Sequence, residues 1–191
     1  FRSKHHGEAI AASKYAGFNA NVIDLNKPVL FDDGDLKITA FKVIHEPIEP
    51  ALGYKFEYKG RSLVITGDTS YSQSVIDNSR NVDVLFHEAQ ANHMVDVIEN
   101  FALQNGAKLR AKLMADIKTY HTTLIEAADI ANKAGVKKLV FYHLTPAPSN
   151  YLTELMFVRG VDEVREDWLL VQDGTLVVLP VDSEEIMVTT M

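Results

Sequence analysis

Short runs of apolar and β-branched residues, set off by polar turns, carry most of the predicted structure. LKITAFKVI, Leu36 to Ile44, is rich in β-branched residues and predicts a strand entered through the turn Asp32-Asp33-Gly34-Asp35. Gly53 to Tyr58 and Ser62 to Thr66 predict a hairpin around Lys59-Gly60-Arg61, and Val82 to Phe86 a short buried strand. Lys138 to Tyr142 is a further strand, and Trp168 to Val171 with Thr175 to Leu179 predict a hairpin around Gln172-Asp173-Gly174. Between these runs the pattern turns helical. Gly7 to Ala16 predicts a short helix stopped by Gly17, and residues 95–118 hold two helical patches interrupted near Asn105-Gly106. Thr123 to Glu126 (TLIE) forms a capping box, in which the threonine accepts from the third amide while the glutamate reaches back. The helix it opens, LIEAADIANKA, stops at Gly135. The sum is a mixed α/β domain, 1–191, with several antiparallel pairs and no repeat or low-complexity linker. Tyr54, Phe56, Tyr58, Phe86, Phe141 and Tyr142 are expected in its core.

Composition narrows the class without naming a chemistry. The chain has 191 residues, 47% of them hydrophobic, enough for one sizeable core. Nineteen basic against 26 acidic residues give a net charge of −7. Such a balance lacks the footprint of a general nucleic-acid binder, although it leaves room for a local basic groove. No run approaches the roughly 18 apolar residues of a membrane helix. FRSKHHGEAI has no apolar signal core behind its charges, so no signal is visible in this chain, and cytoplasm and periplasm both stay open. The absence of cysteine excludes disulfides, cysteine zinc sites and thiol catalysis.

The chemistry-bearing side chains gather at element boundaries. The strand at 36–44 runs into His45 and the one at 62–66 leads to Asp68. The strand at 82–86 meets His87-Glu88, that at 138–142 meets His143, and His121 precedes the capped helix. Imidazole and carboxylate are ligands suited to zinc, iron or manganese, and histidine is the usual proton carrier near neutral pH. Singly, each has an ordinary structural explanation: a hydrogen-bonded histidine, an aspartate in a turn, a solvated glutamate. Four strands ending this way together point to a metal site. His93 lies in a polar connection, and His5 and His6 lack ligand spacing; all three read as surface residues.

The order of the motifs is informative beyond their chemistry. HEPIEPALGYKFEYKGRSLVITGDTS, VDVLFHEAQ and YHTTLIEAADIANKAGVKKLVFYHLTP together resemble the C-terminal half of metallo-β-lactamase-fold hydrolases, in the ribonuclease Z and arylsulfatase-like branch. The resemblance implies an αββα sandwich of which this chain is the C-terminal part. It implies that His45 ligates one metal, His143 a second, and that Asp68 of the Gly67-Asp68-Thr69 motif bridges them. His121 would be the proton donor to the leaving group, oriented by Glu88 and with His87 buttressing the site. Gly67 would permit the tight turn at the bridging carboxylate. The family's H-x-H-x-D-H motif is absent from this chain, so the resemblance implies a longer protein, an incomplete site here and little activity for this chain alone.

The implied cofactor is a pair of divalent metals, zinc first, with manganese or iron as alternatives. The implied reaction is hydrolysis of a phosphate, sulfate or carboxylic ester by metal-activated water. Ribonuclease Z-like tRNA 3′ processing is the sharpest alternative. Only residues 46–67 separate His45 from Asp68, room for a hairpin but not for a substrate-gripping arm, so a small ester is ranked ahead of nucleic acid as partner. A non-catalytic binding module is the other class of reading. A homodimer is the assembly entertained, with association expected of an uncovered half-fold.

Overall fold

The computed structural model describes residues 23–190; the predicted helix at Gly7 to Ala16, its Gly17 stop, His5 and His6 lie outside the described residues. Seven strands form one sheet in chain order. They are β1 (Val29–Asp32), β2 (Leu36–His45), β3 (Ile48–Tyr58), β4 (Arg61–Ile65), β5 (Val84–Gln90), β6 (Lys138–Thr145) and β7 (Trp168–Leu170). Neighbours from β1 to β4 pair antiparallel, and from β4 to β7 they pair parallel. The change follows from the connections. Tight turns join the first four strands, whereas helical crossovers separate β4, β5 and β6, as parallel neighbours require.

Five helices complete the described chain: α1 (Gln73–Asn78), α2 (Asn92–Gln104), α3 (Lys108–Ile117), α4 (Leu124–Ala134) and α5 (Tyr151–Phe157). The capping box at Thr123 is formed, with the Glu126 amide donating to Thr123 Oγ1 and the Thr123 amide to Glu126 Oε2. Gly135 ends α4 in the left-handed conformation. Ala127, Ala128, Ile130 and Ala131 of α4 pack with Val75 and Ile76 of α1 over Val64, Leu85, Leu139 and Phe141 of the sheet. Small residues on the inner side of α4 let the helix lie close to the strands. This helix layer on one face of a mixed sheet is the α/β layering the sequence predicts.

Several boundaries differ from expectation. The strand predicted at Val82 to Phe86 runs from Val84 to Gln90, so His87 and Glu88 are interior positions and not a strand end. Likewise His143 lies inside β6. Trp168–Leu170 and Thr175–Val178 do not form a hairpin. β7 joins β6 in the main sheet, while β8 (Thr175–Val178) pairs with β9 (Met187–Thr190) in a separate ribbon. The Gln172–Thr175 turn still closes, through the Thr175 amide on the Gln172 carbonyl, but each flanking strand finds a better partner elsewhere. Of the six aromatics expected in the core only Phe141 is fully buried; Tyr58 is exposed and the others are half-buried. Ile38, Phe56 and Leu63 are directly paired across β2 to β4 on the face opposite the main helix layer, all half-buried.

Segment 180–185 is fixed by Arg61. Its guanidinium donates to the carbonyls of Pro180, Ser183 and Glu185 and, through Nε, to Asp83 Oδ2 at 3.2 Å. Burial pushes the Asp83 carboxyl up, but the Ser62 amide, Lys137 and Arg61 outweigh it and hold it below its ordinary value.

Candidate metal centre

The turn after β4 begins the site. Gly67 has φ of 66°, and a Cβ there would sit 2.7 Å from the Leu52 carbonyl oxygen, so only glycine fits. The Gly67 amide donates to the Tyr142 hydroxyl at 2.9 Å, tying the turn to β6. Asp68 follows, half-buried. Thr69 is buried: its hydroxyl accepts from the Ile44 amide at 3.1 Å and its amide donates to Glu88 Oε1 at 3.1 Å.

Glu88 gathers the next elements. Its Oε1 accepts from the amides of Thr69 and Thr122, each at 3.1 Å, and from His121 Nδ1 at 3.0 Å. Burial raises the Glu88 pKa, and the His121 contact and the two amides oppose that shift. Because Nδ1 of His121 is committed to Glu88, its Nε2 is the nitrogen left for chemistry. Thr122 is locked as well, its hydroxyl donating to the Thr69 carbonyl.

Around Asp68 the other candidates converge. His45 Nε2 lies 4.0 Å from one Asp68 oxygen and His143 Nε2 lies 3.5 Å from the other. The His45 and His121 rings are 5.4 Å apart, and those of His121 and His143 5.8 Å. One donor atom each from Asp68, His121 and His143 fall within 4.8 Å of one another. His45 Nδ1 donates to the Tyr120 carbonyl at 2.9 Å, which turns Nε2 toward Asp68. Burial lowers the His45 pKa against the opposing pull of that bond and of Asp68. A neutral imidazole with its far nitrogen anchored is the form that binds a metal.

His143 reaches the site by a bulge. Glu88 pairs with Tyr142 and Ala89 with Leu144, so His143 is an extra residue, with φ of 47°. Consecutive residues Tyr142 and His143 therefore both reach the Gly67-Asp68 turn, which a regular strand forbids. Beside His143 the site opens into a cavity of about 460 Å³ lined also by Leu144, Pro148 and Leu170.

His45, Asp68, Glu88, His121 and His143 thus share one cleft. His87 does not. It is fully buried on the opposite side of β5, its Nδ1 donating to the Glu88 carbonyl and its Nε2 without a partner; burial drops its pKa to about 4. His93 opens α2, exposed, with Nε2 on the Met156 carbonyl at 2.8 Å. Sequence reasoning missed Tyr120, Thr122 and Tyr142 as parts of the site. The one signal for Thr122 in the sequence is its place beside His121. Tyr120 acts through a carbonyl, which leaves no trace in residue type.

The imidazoles of His45 and His143 beside the Asp68 carboxylate are a donor set suited to a borderline cation such as zinc. Among the described residues no helix is long and apolar enough to cross a membrane. Residues 3–144 match the family described as "Beta-lactamase superfamily domain". A ribonuclease Z of Mycobacterium marinum is 29% identical over 147 residues, 77% of this chain and 47% of the relative. That of Mycolicibacterium paratuberculosis is 32% identical over 120 residues, 63% of this chain and 39% of the relative. The chain therefore spans about half or less of these relatives. The metallo-beta-lactamase fold protein YhfI from Bacillus subtilis superposes with a TM-score of 0.51 at 22% identity, covering 74% of this chain and 49% of that one. With a family match across most of its length and a superposable fold, this chain belongs to the beta-lactamase superfamily, in its metallo-β-lactamase-fold form, and its relatives include ribonucleases Z.

Proposed function

We propose that the protein containing this chain is a metal-dependent phosphodiesterase of the ribonuclease Z kind, acting on RNA. The observation that carries the reading is the Glu88–His121 couple facing Asp68, His45 and His143, in a chain similar to proteins named ribonuclease Z. The order expected from the sequence, small ester ahead of nucleic acid, is reversed.

His45, Asp68 and His143 would hold divalent cations, zinc first; three residues are few for two ions. Bound ions of this kind lower the pKa of water and polarise a phosphoryl oxygen. His121 has a separate task. With Nδ1–H fixed on Glu88, its Nε2 hands a proton to the departing alkoxide, and Glu88 stabilises the imidazolium that carries it. Thr69 and Thr122 keep Glu88 in place through their amides.

The test uses this chain and the longest product of its gene, measuring metal by elemental analysis and cleavage of a 3′-extended tRNA transcript. His121→Ala in the longer product is expected to keep its metal and lose about 10²- to 10⁴-fold in rate. Loss of metal with the rate would instead make His121 a ligand. A second reading, hydrolysis of small sulfate or phosphate esters, is favoured by one feature: the β3–β4 hairpin closes at Lys59-Gly60 with no arm to grip RNA. Cleavage of p-nitrophenyl esters with intact RNA would establish that reading and overturn the first.

A further inference from the structure

Between Glu88 and His121, both at the candidate centre, the chain makes an excursion through α2 and α3. Near their connection the electrostatics change sign. Residues 101–115 carry Lys108, Arg110 and Lys112 and no carboxylate, in a chain of net charge −7. Each acidic group nearby is engaged by a lysine, Lys118 serving two of them. Lys118 Nζ lies 2.6 Å from Asp96 and 2.8 Å from Glu99, and Lys112 pairs with Asp116. Lys108 and Arg110 have no acidic partner among the described residues. Alongside them Phe101, Leu103 and Leu109 are 66%, 55% and 56% exposed, although Ala102 and Ala111 are buried and the two helices pack. A single exposed leucine needs no explanation. Three large apolar side chains beside two unpaired cations, at one helical turnaround, do.

We propose that the tip of the α2–α3 hairpin is a docking surface for single-stranded RNA flanking the scissile bond. This rests on the RNA reading above and supplies the grip that the short β3–β4 hairpin does not. Lys108 and Arg110 pair with backbone phosphates, and Phe101 offers a face on which a base stacks, the combination that binds single strands without reading sequence. The ten residues of α3 rise about 15 Å, from Lys108 to an end only four residues before His121. Docked RNA therefore lies a few nucleotides from the reacting phosphodiester and takes no part in the chemistry.

The experiment measures binding of a short labelled RNA by fluorescence anisotropy over a salt series, on this chain and on the longest gene product. For Lys108→Ala/Arg110→Ala, the slope of log affinity against log salt is expected to shrink by about 1.4. Phe101→Ala should weaken binding roughly 5- to 150-fold with the slope unchanged. Circular dichroism checks that each variant is folded, and cleavage of bis-p-nitrophenyl phosphate by the longer product should match wild type in all of them. Wild-type affinity and slope in the folded variants would overturn the docking surface and leave the nuclease reading standing. Absence of RNA binding and of tRNA cleavage in the wild-type longer product would overturn both. Variants that lose self-association while keeping RNA affinity would make the tip a protein contact, against the proposal.

Discussion

Gly67 precedes Asp68 and His87 precedes Glu88, yet the two serve different purposes. Gly67 has a positive φ and no room for a side chain, so its identity is fixed by the turn that presents Asp68. His87 is fixed by the core. Its folded pKa of about 4 lies below the ordinary 6.5, so the folded state holds it neutral while the unfolded chain takes up a proton. Its stabilising contribution is fully present above pH 6.5 and is lost as pH falls toward 4, an effect of about 3 kcal/mol. In His87→Leu, urea midpoints should change much less between pH 6.5 and 4 than in wild type; an equally steep decline would assign the acid sensitivity elsewhere. At this scale the sequence was informative where residue type is the signal, as at His45, Asp68, Glu88, His121 and His143. It was mute where a backbone group does the work, as at the Tyr120 carbonyl and the Thr122 amide.

Elements were legible when their signals were local. The β3–β4 hairpin and the capping box at Thr123 are written in adjacent residues, and both form. Strand length was not legible: β5 and β6 continue past Phe86 and Tyr142 because each lies against a long parallel neighbour, a pairing with no mark in the local sequence. The same reason separates β7 from β8. The bulge in β6 yields a prediction of this scale. Deleting Leu144 would restore the alternation after Tyr142 and turn His143 to the helix side. Metal stoichiometry in the longer gene product should fall while the far-ultraviolet spectrum is retained; unchanged stoichiometry would mean that another donor replaces His143.

Among the described residues the sheet ends at an edge strand, β1. β1 reads Val-Leu-Phe-Asp and all four residues are exposed, an edge strand with apolar side chains and no second neighbour among the described residues, which invites pairing with another chain. Concentration-dependent association in sedimentation is expected and should be suppressed by Leu30→Lys, a charge on that edge; association unaffected by the change would place the contact elsewhere. The candidate centre has a different property at this scale. Its parts are strewn from position 45 to position 143, on both the antiparallel and the parallel side of the sheet. No early, locally folded fragment contains it, since long-range parallel pairings close late. His45, Asp68 and His143 cannot meet in a chain still being synthesised until His143 has left the ribosome, so their convergence is a timestamp for the pairing of β5 with β6.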